Sequence, residues 1–148
     1  MRSELRSLRR LALPVVAVSA LLSGCGLFGP ADEPTPLPEV PSMEVTANIT
    51  DIHRCSRISP EIQVLNPPRG VDHYDVSLVE HGNVDILLGG GSWKADESGV
   101  IPEGVLTRHY HGPCPPVGTS REYSYVVSAM AKANMQPLEV RIYRFTQD

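Results

Sequence analysis

The sequence predicts a mainly β domain, a β-sandwich of short strands with long loops and little helix, on three observations. Apolar residues recur at every second position, as in Val45, Ala47 and Ile49, in Tyr74, Val76 and Leu78, and in Tyr123, Tyr125, Val127 and Ala129. That period lines one face of a strand. The 14 prolines and 12 glycines punctuate these runs at short intervals, proline by fixing φ and glycine by permitting tight turns. No segment keeps a sustained helical period. Short strands separated by frequent turn signals indicate two packed antiparallel sheets.

In chain order, residues 1–24 read as a signal peptide. Arg2, Arg6, Arg9 and Arg10 form a basic leader, and the apolar run 11–22 is too short to span a bilayer comfortably. Leu22-Ser23-Gly24-Cys25 resembles the bacterial lipobox, whose cysteine thiol is joined to diacylglycerol before cleavage makes it the first residue. An ordinary signal peptide with an incidental cysteine is the competing reading. The coincidence of charge, length, small residues and cysteine favours lipidation at Cys25, and with it a bacterial cell-envelope protein held to the membrane by its lipid. Gly26 stands where aspartate would resemble an inner-membrane retention signal, so the outer membrane is expected where there are two.

Cleavage removes four arginines and one glutamate, leaving nine basic and sixteen acidic residues and a net charge near −7. Such a surface lacks the basic footprint of a nucleic-acid binder. It also disfavours electrostatic adhesion to anionic lipid, so the acyl chains do the anchoring. Residues 25–42 then read as the lipidated N-terminus and a tether, with Pro30, Pro34, Pro36, Pro38 and Pro41 among Asp32, Glu33 and Glu39. Polyproline II extends about 3.1 Å per residue, so the tether could hold a domain some tens of ångströms from the bilayer.

Residues 43–148 suffice for one core and are too few for two ordinary domains. A first strand is expected around Val45, Ala47 and Ile49, a second at 62–65 after the Ser59-Pro60 turn, and a third through Tyr74, Val76 and Leu78. A fourth is expected at 83–88, ended by Gly89-Gly90-Gly91. Short apolar pieces follow at 100–101 and 105–106, then a long strand at 121–130. A last strand is expected at 138–145 after a connection, 129–137, with room for one helical turn.

The sharpest stretch precedes the long strand. Tyr110-His111-Gly112-Pro113-Cys114-Pro115-Pro116-Val117-Gly118 is a kinked loop stiffened by proline, and loops held in this way on a scaffold often carry function. With Cys55, Ser59-Pro60-Glu61-Ile62 and Pro67-Pro68-Arg69-Gly70 upstream, it resembles the phosphatidylethanolamine-binding protein family in its bacterial Raf-kinase-inhibitor-like branch. The resemblance covers roughly residues 43–130. It implies that fold and an anion pocket closed by the glycine-proline loop, with Tyr110, Gly112, Pro115, Pro116, Arg121, Tyr123 and His81 as ligand-binding candidates.

The departures matter as much. The family's Asp-Pro-Asp-Ala-Pro loop is absent, with Glu80-His81-Gly82-Asn83 after the matching strand. Leu87-Leu88 carries no histidine, and Arg121-Glu122-Tyr123 stands where His-Arg-Tyr is expected. The scaffold is therefore expected to be kept and the pocket to be degenerate. Cys25 being reserved for lipid, Cys55 and Cys114 remain in a compartment that favours disulfides. The loops that carry them pack together in the family's fold, which implies a bridge, with two separate buried thiols as the alternative.

Other chemistry finds little support. Gly89-Gly90-Gly91-Ser92-Trp93-Lys94 lacks the Gly-Lys-Ser/Thr ending of a phosphate loop and reads as a flexible turn. No Gly-x-Ser-x-Gly elbow occurs. His109, His111 and Cys114 lack a fourth metal ligand, so two surface histidines are expected and no metal or cofactor is assigned. The expectation is a non-catalytic binding or interaction module, with a small-anion or phospholipid-headgroup binder as the alternative.

Overall fold

The computed structural model describes residues 41–133 and 135–148. Cys25, the signal-peptide boundary and most of the tether lie outside the described residues.

Among the described residues, seven strands form two antiparallel sheets. The smaller has the order β1-β2-β5, made of β1 (Glu44–Asn48), β2 (Glu61–Leu65) and β5 (Val100–Ile101). The larger has the order β4-β3-β6-β7, made of β3 (His73–His81), β4 (Ile86–Lys94), β6 (Arg121–Met130) and β7 (Glu139–Gln147). The one helical piece among the described residues is a 3-10 turn at Asp51–His53. The mainly β expectation is therefore met.

Alternation decides which residues enter the core. In the β3–β6 register Tyr74 lies opposite Ala129, Val76 opposite Val127, Leu78 opposite Tyr125 and Glu80 opposite Tyr123. Directly opposed residues share a face, and all of these but Glu80 are buried. Ile62, Val64 and Ile101 of the smaller sheet, with Met43 and Leu106 from the connections, complete the cluster. Full burial of an aliphatic or aromatic side chain of this size stabilises by about 1.5–3 kcal/mol. Phe145 extends the core along β7, stacking on both Tyr123 and Tyr125 at 5.6 Å between ring centroids.

Met43, just before β1, is tied to β7 through side chains. Met43 N donates to Glu139 Oε1 at 3.1 Å, and Arg141 Nε donates to the Met43 carbonyl at 2.7 Å.

Two expectations are corrected. The triple glycine does not end the fourth strand. It lies inside β4, where Gly91 pairs with Val76 and Gly90 with Ser77, beside a register shift between Ser77 and Val79. The reason is space. A Cβ on Gly90 would lie 1.9 Å from the Val76 carbonyl oxygen, one on Gly89 2.3 Å from the His109 oxygen, and one on Gly91 2.9 Å from Leu106 Cα. Strand glycines of this kind mark close backbone approach. Here the 106–110 segment crosses β4, with an isolated bridge between Gly90 and Arg108. The connection after β6 is likewise a turn and a bend, with no helix among its described residues, closed by Leu138 N donating to the Ala129 carbonyl at 2.8 Å.

Candidate functional site

The glycine-proline loop is latched to the loop that follows β1. Gly112 N donates to the Ser56 carbonyl at 2.7 Å, and Cys55 N donates to the Pro113 carbonyl at 3.0 Å. Cys55 and Cys114 are joined by a disulfide, 4.5 Å apart at Cα, so the expected bridge is present. A Cβ on Gly112 would lie 2.0 Å from the His53 carbonyl oxygen, and only glycine fits there. Pro115 is buried behind the latch, whereas Pro116 and Val117 are exposed. His53 is itself buried: its Nδ1 accepts from Thr50 N at 2.9 Å, leaving Nε2 to donate to Glu103 Oε2 at 3.0 Å.

Tyr110 turns inward. It is buried, and its hydroxyl meets that of Tyr125 at 2.6 Å. Burial pushes the Tyr110 phenol up to about 12 against the opposing hydrogen bond from Tyr125. Burial first, and then the Tyr110 hydroxyl, raises Tyr125 as well. Both folded values lie above the ordinary phenol value of about 10. The neutral pair therefore contributes fully below about pH 10, and its contribution is lost as pH rises through about 12. Phenolate absorbance from these two rings is expected to appear only together with loss of near-UV dichroism. Their complete ionisation near pH 10 in a protein that keeps its tertiary signal would contradict this packing.

Beyond the loop, Arg121 opens β6 on the same face as Tyr123. Its Nη1 donates to Glu80 Oε1 at 3.1 Å, with Arg121 41% exposed and Glu80 17%. The Tyr123 hydroxyl lies close by, buried beside the Glu80 carboxylate and the Cys114 backbone. Burial, reinforced by the Glu80 carboxylate, raises its phenol. Arg121, Tyr123 and the back of the loop thus come together, with Tyr110 at the neighbouring core position. Glu80 is the residue that sequence reasoning missed, although its signal was present: it continues the Tyr74, Val76, Leu78 alternation by one step.

His81 is not brought to this cluster. It lies opposite Glu122 in the β3–β6 register, on the other face of the sheet. There its Nδ1 meets Asp85 Oδ1 at 3.0 Å and its Nε2 meets Ser124 Oγ at 2.7 Å. The order of groups is that of a serine-hydrolase triad, but the surroundings are not. Ser124 is 1% exposed, and β6 is paired on both sides, which leaves no spare amides for an oxyanion hole. The line of bonds fastens the β3–β4 hairpin to β6. Among the described residues, no group of three or more His, Cys, Asp or Glu is placed to hold a metal.

Taken together, the two sheets, the latched glycine-proline loop and the tyrosine-led central strand define a phosphatidylethanolamine-binding-protein-like fold. The structure of Escherichia coli YbcL, described as a new member of the mammalian PEBP family, is similar to it with a TM-score of 0.53. That similarity spans 70% of this chain and 96% of YbcL at 14% identity, so the likeness is one of fold. No family model and no curated protein sequence matches the chain.

Proposed function

We propose that this chain is a membrane-anchored bacterial lipoprotein whose phosphatidylethanolamine-binding-protein-like domain is a non-catalytic binding or interaction module of the cell envelope. The anchoring half rests on the Leu22-Ser23-Gly24-Cys25 motif behind a basic and apolar leader, followed by the proline-rich tether. The carrying observation for the domain is that the polar groups expected to bind an anion are bonded within the protein. Arg121 is paired with Glu80, Tyr110 with Tyr125, and the Gly112 amide with the Ser56 carbonyl. A ligand would have to displace a carboxylate already in contact with the guanidinium. Beside exposed Arg54, Arg57 and His111, the loop cluster offers apolar side chains outward: Val117 is 98% exposed, Ile52 56% and Ile58 43%. Exposed apolar side chains on loops held by a covalent latch suit an envelope protein partner.

Two measurements test this. Cys25→Ser is expected to abolish labelling by a fatty-acid analogue and to release the protein from membranes; a variant that remains labelled and membrane-bound would sink the lipoprotein reading. Phosphate and acetate at millimolar concentration are expected to leave the amide signals near Tyr110 and Tyr123 unmoved, whereas Glu80→Gln, which frees Arg121, is expected to make them respond. The small-anion or phospholipid-headgroup reading has one observation in its favour, the Tyr123 hydroxyl buried beside the half-exposed Arg121. It wins if the wild-type signals shift and Arg121→Ala abolishes the response.

A further inference from the structure

A second concavity lies on the opposite side of the larger sheet from Arg121 and Tyr123. Ser77 alternates with the buried Val76 and Leu78 and therefore faces outward, and Leu87 lies opposite Val79 on that same outer face. Where β4 is bulged, residues 108–111 arch over its edge. Gly90 N donates to the Arg108 carbonyl at 3.0 Å, Arg108 N to the Gly90 carbonyl at 2.9 Å, and His111 N to the Leu88 carbonyl at 2.8 Å. Between these anchors His109 takes φ +53°, left-handed backbone that a non-glycine residue seldom adopts. The arch and the bulge enclose a hollow of about 390 Å³, within the range of small-molecule sites.

The lining has two parts. Leu87, 66% exposed, supplies the apolar floor, beside Gly89 and Leu88, the latter packed in part against the core. Arg108, His109 and His111 supply the rim, and none of the lining residues is acidic. Among the described residues Arg108 has no ion-pair partner, in contrast to Arg121. The His111 ring is held by its Nδ1–H donating to the Gly112 carbonyl at 3.0 Å. A second hollow of about 300 Å³ shares His109 and adds Arg57, so the cationic character continues beyond the rim. Positive charge gathered beside exposed leucine, on a chain that is acidic overall, matches one ligand chemistry: an anionic head on an apolar tail.

We propose that this hollow binds an amphiphilic carboxylate, such as a medium-chain fatty acid, with the carboxylate on Arg108 and the alkyl chain against Leu87 and Leu88. Arginine presents two parallel N–H donors that match a carboxylate. Each methylene removed from water against the leucines strengthens binding by about fourfold. The site is separate from the Arg121 cluster, so it does not depend on the outcome there.

The probe is decanoate below its micellar concentration, titrated into the full chain carrying Cys25→Ser, which leaves residues 41–148 unaltered. Saturable amide shifts are expected at Leu87, Gly89, Arg108 and His111. Decanoate is expected to bind more tightly than hexanoate by about fourfold for each added methylene that is buried, up to about two hundredfold for all four, and Arg108→Ala to weaken it by about tenfold to a hundredfold. Decyl maltoside, with the same tail and no charge, is expected to compete about tenfold or more weakly than decanoate itself. Equal binding of decanoate and acetate would overturn the role of the floor. Competition by decyl maltoside as strong as that of decanoate, or undiminished binding by Arg108→Ala, would overturn the role of the head. Shifts gathered at Arg121 and Tyr123 instead would remove the site altogether and favour an anion pocket in the loop cluster.

Discussion

Gly90→Ala is expected to cost the domain about 3 kcal/mol or more, at the upper end of what overpacking does. The added Cβ would fall 1.9 Å from the Val76 carbonyl oxygen, 2.8 Å from its carbon and 3.0 Å from Ser77 Cα. All three atoms are backbone of β3, the central strand to which β4 is paired, so no side chain can turn aside. The strand pair must open, and with it go the Gly90 bonds to Arg108 that hold the crossing segment. For a domain of this size, 1 kcal/mol corresponds to about 4–8 °C in Tm, so a fall of roughly 12–24 °C is expected in a thermal melt. Gly104→Ala is the control for glycine substitution itself: its φ is +77°, which carries backbone strain, but its Cβ meets nothing within 4 Å. If the two variants melt alike, close approach of the backbones is not what β4 requires of its glycines.

Removing the disulfide is the other large effect. Cys55 and Cys114 are 59 residues apart, and closing a loop of that length restricts the unfolded chain by about 4 kcal/mol on the loop-entropy account. The paired variant Cys55→Ser with Cys114→Ser is expected to lose about that much in urea denaturation, against a total that for domains of this kind is about 5–15 kcal/mol. The latch is also held by the Gly112–Ser56 and Cys55–Pro113 backbone bonds and by buried Pro113 and Pro115. The folded state is therefore expected to survive at low temperature with its near-UV signal from Tyr110 and Tyr125 intact. A loss below about 1 kcal/mol would mean that the unfolded chain is hardly constrained by the bridge. A loss of the tyrosine signal without global unfolding would mean that the bridge, rather than the backbone bonds, positions the loop.

Much of this architecture could be read from the residues. Strict alternation announced β6 at its observed bounds, together with β2 and the core face of β3, because a two-residue period has only one buried solution when one side of a sheet is wet. The Tyr110–Gly112 stretch with its prolines announced a rigid loop, and the cysteines in the two loops announced their pairing through the family likeness. The sequence by itself also determined the acidic balance of the chain, the basic and apolar composition of residues 1–24, and the resemblance of Leu22-Ser23-Gly24-Cys25 to a lipobox.

Other features were settled only by tertiary structure. Gly89-Gly90-Gly91 has the composition of a turn, and nothing local reveals that the 106–110 backbone lies against Gly89 and Gly91 and the β3 backbone against Gly90, leaving no room for a Cβ. Arg121 resembles a free cation in the sequence because its partner Glu80 is 41 residues away, and only antiparallel pairing of β3 with β6 sets the two side by side. The same register sends His81 to the opposite face, one residue from Glu80 and yet on the far side of the sheet. The hollow beneath Arg108 likewise arises from a strand bulge and an arching loop that share no sequence signal. Composition and period act through neighbours along the chain and determine which face is buried. Which charge meets which, and where a cavity is left, depends on contacts between residues far apart in sequence, and those exist only once the sheets have paired.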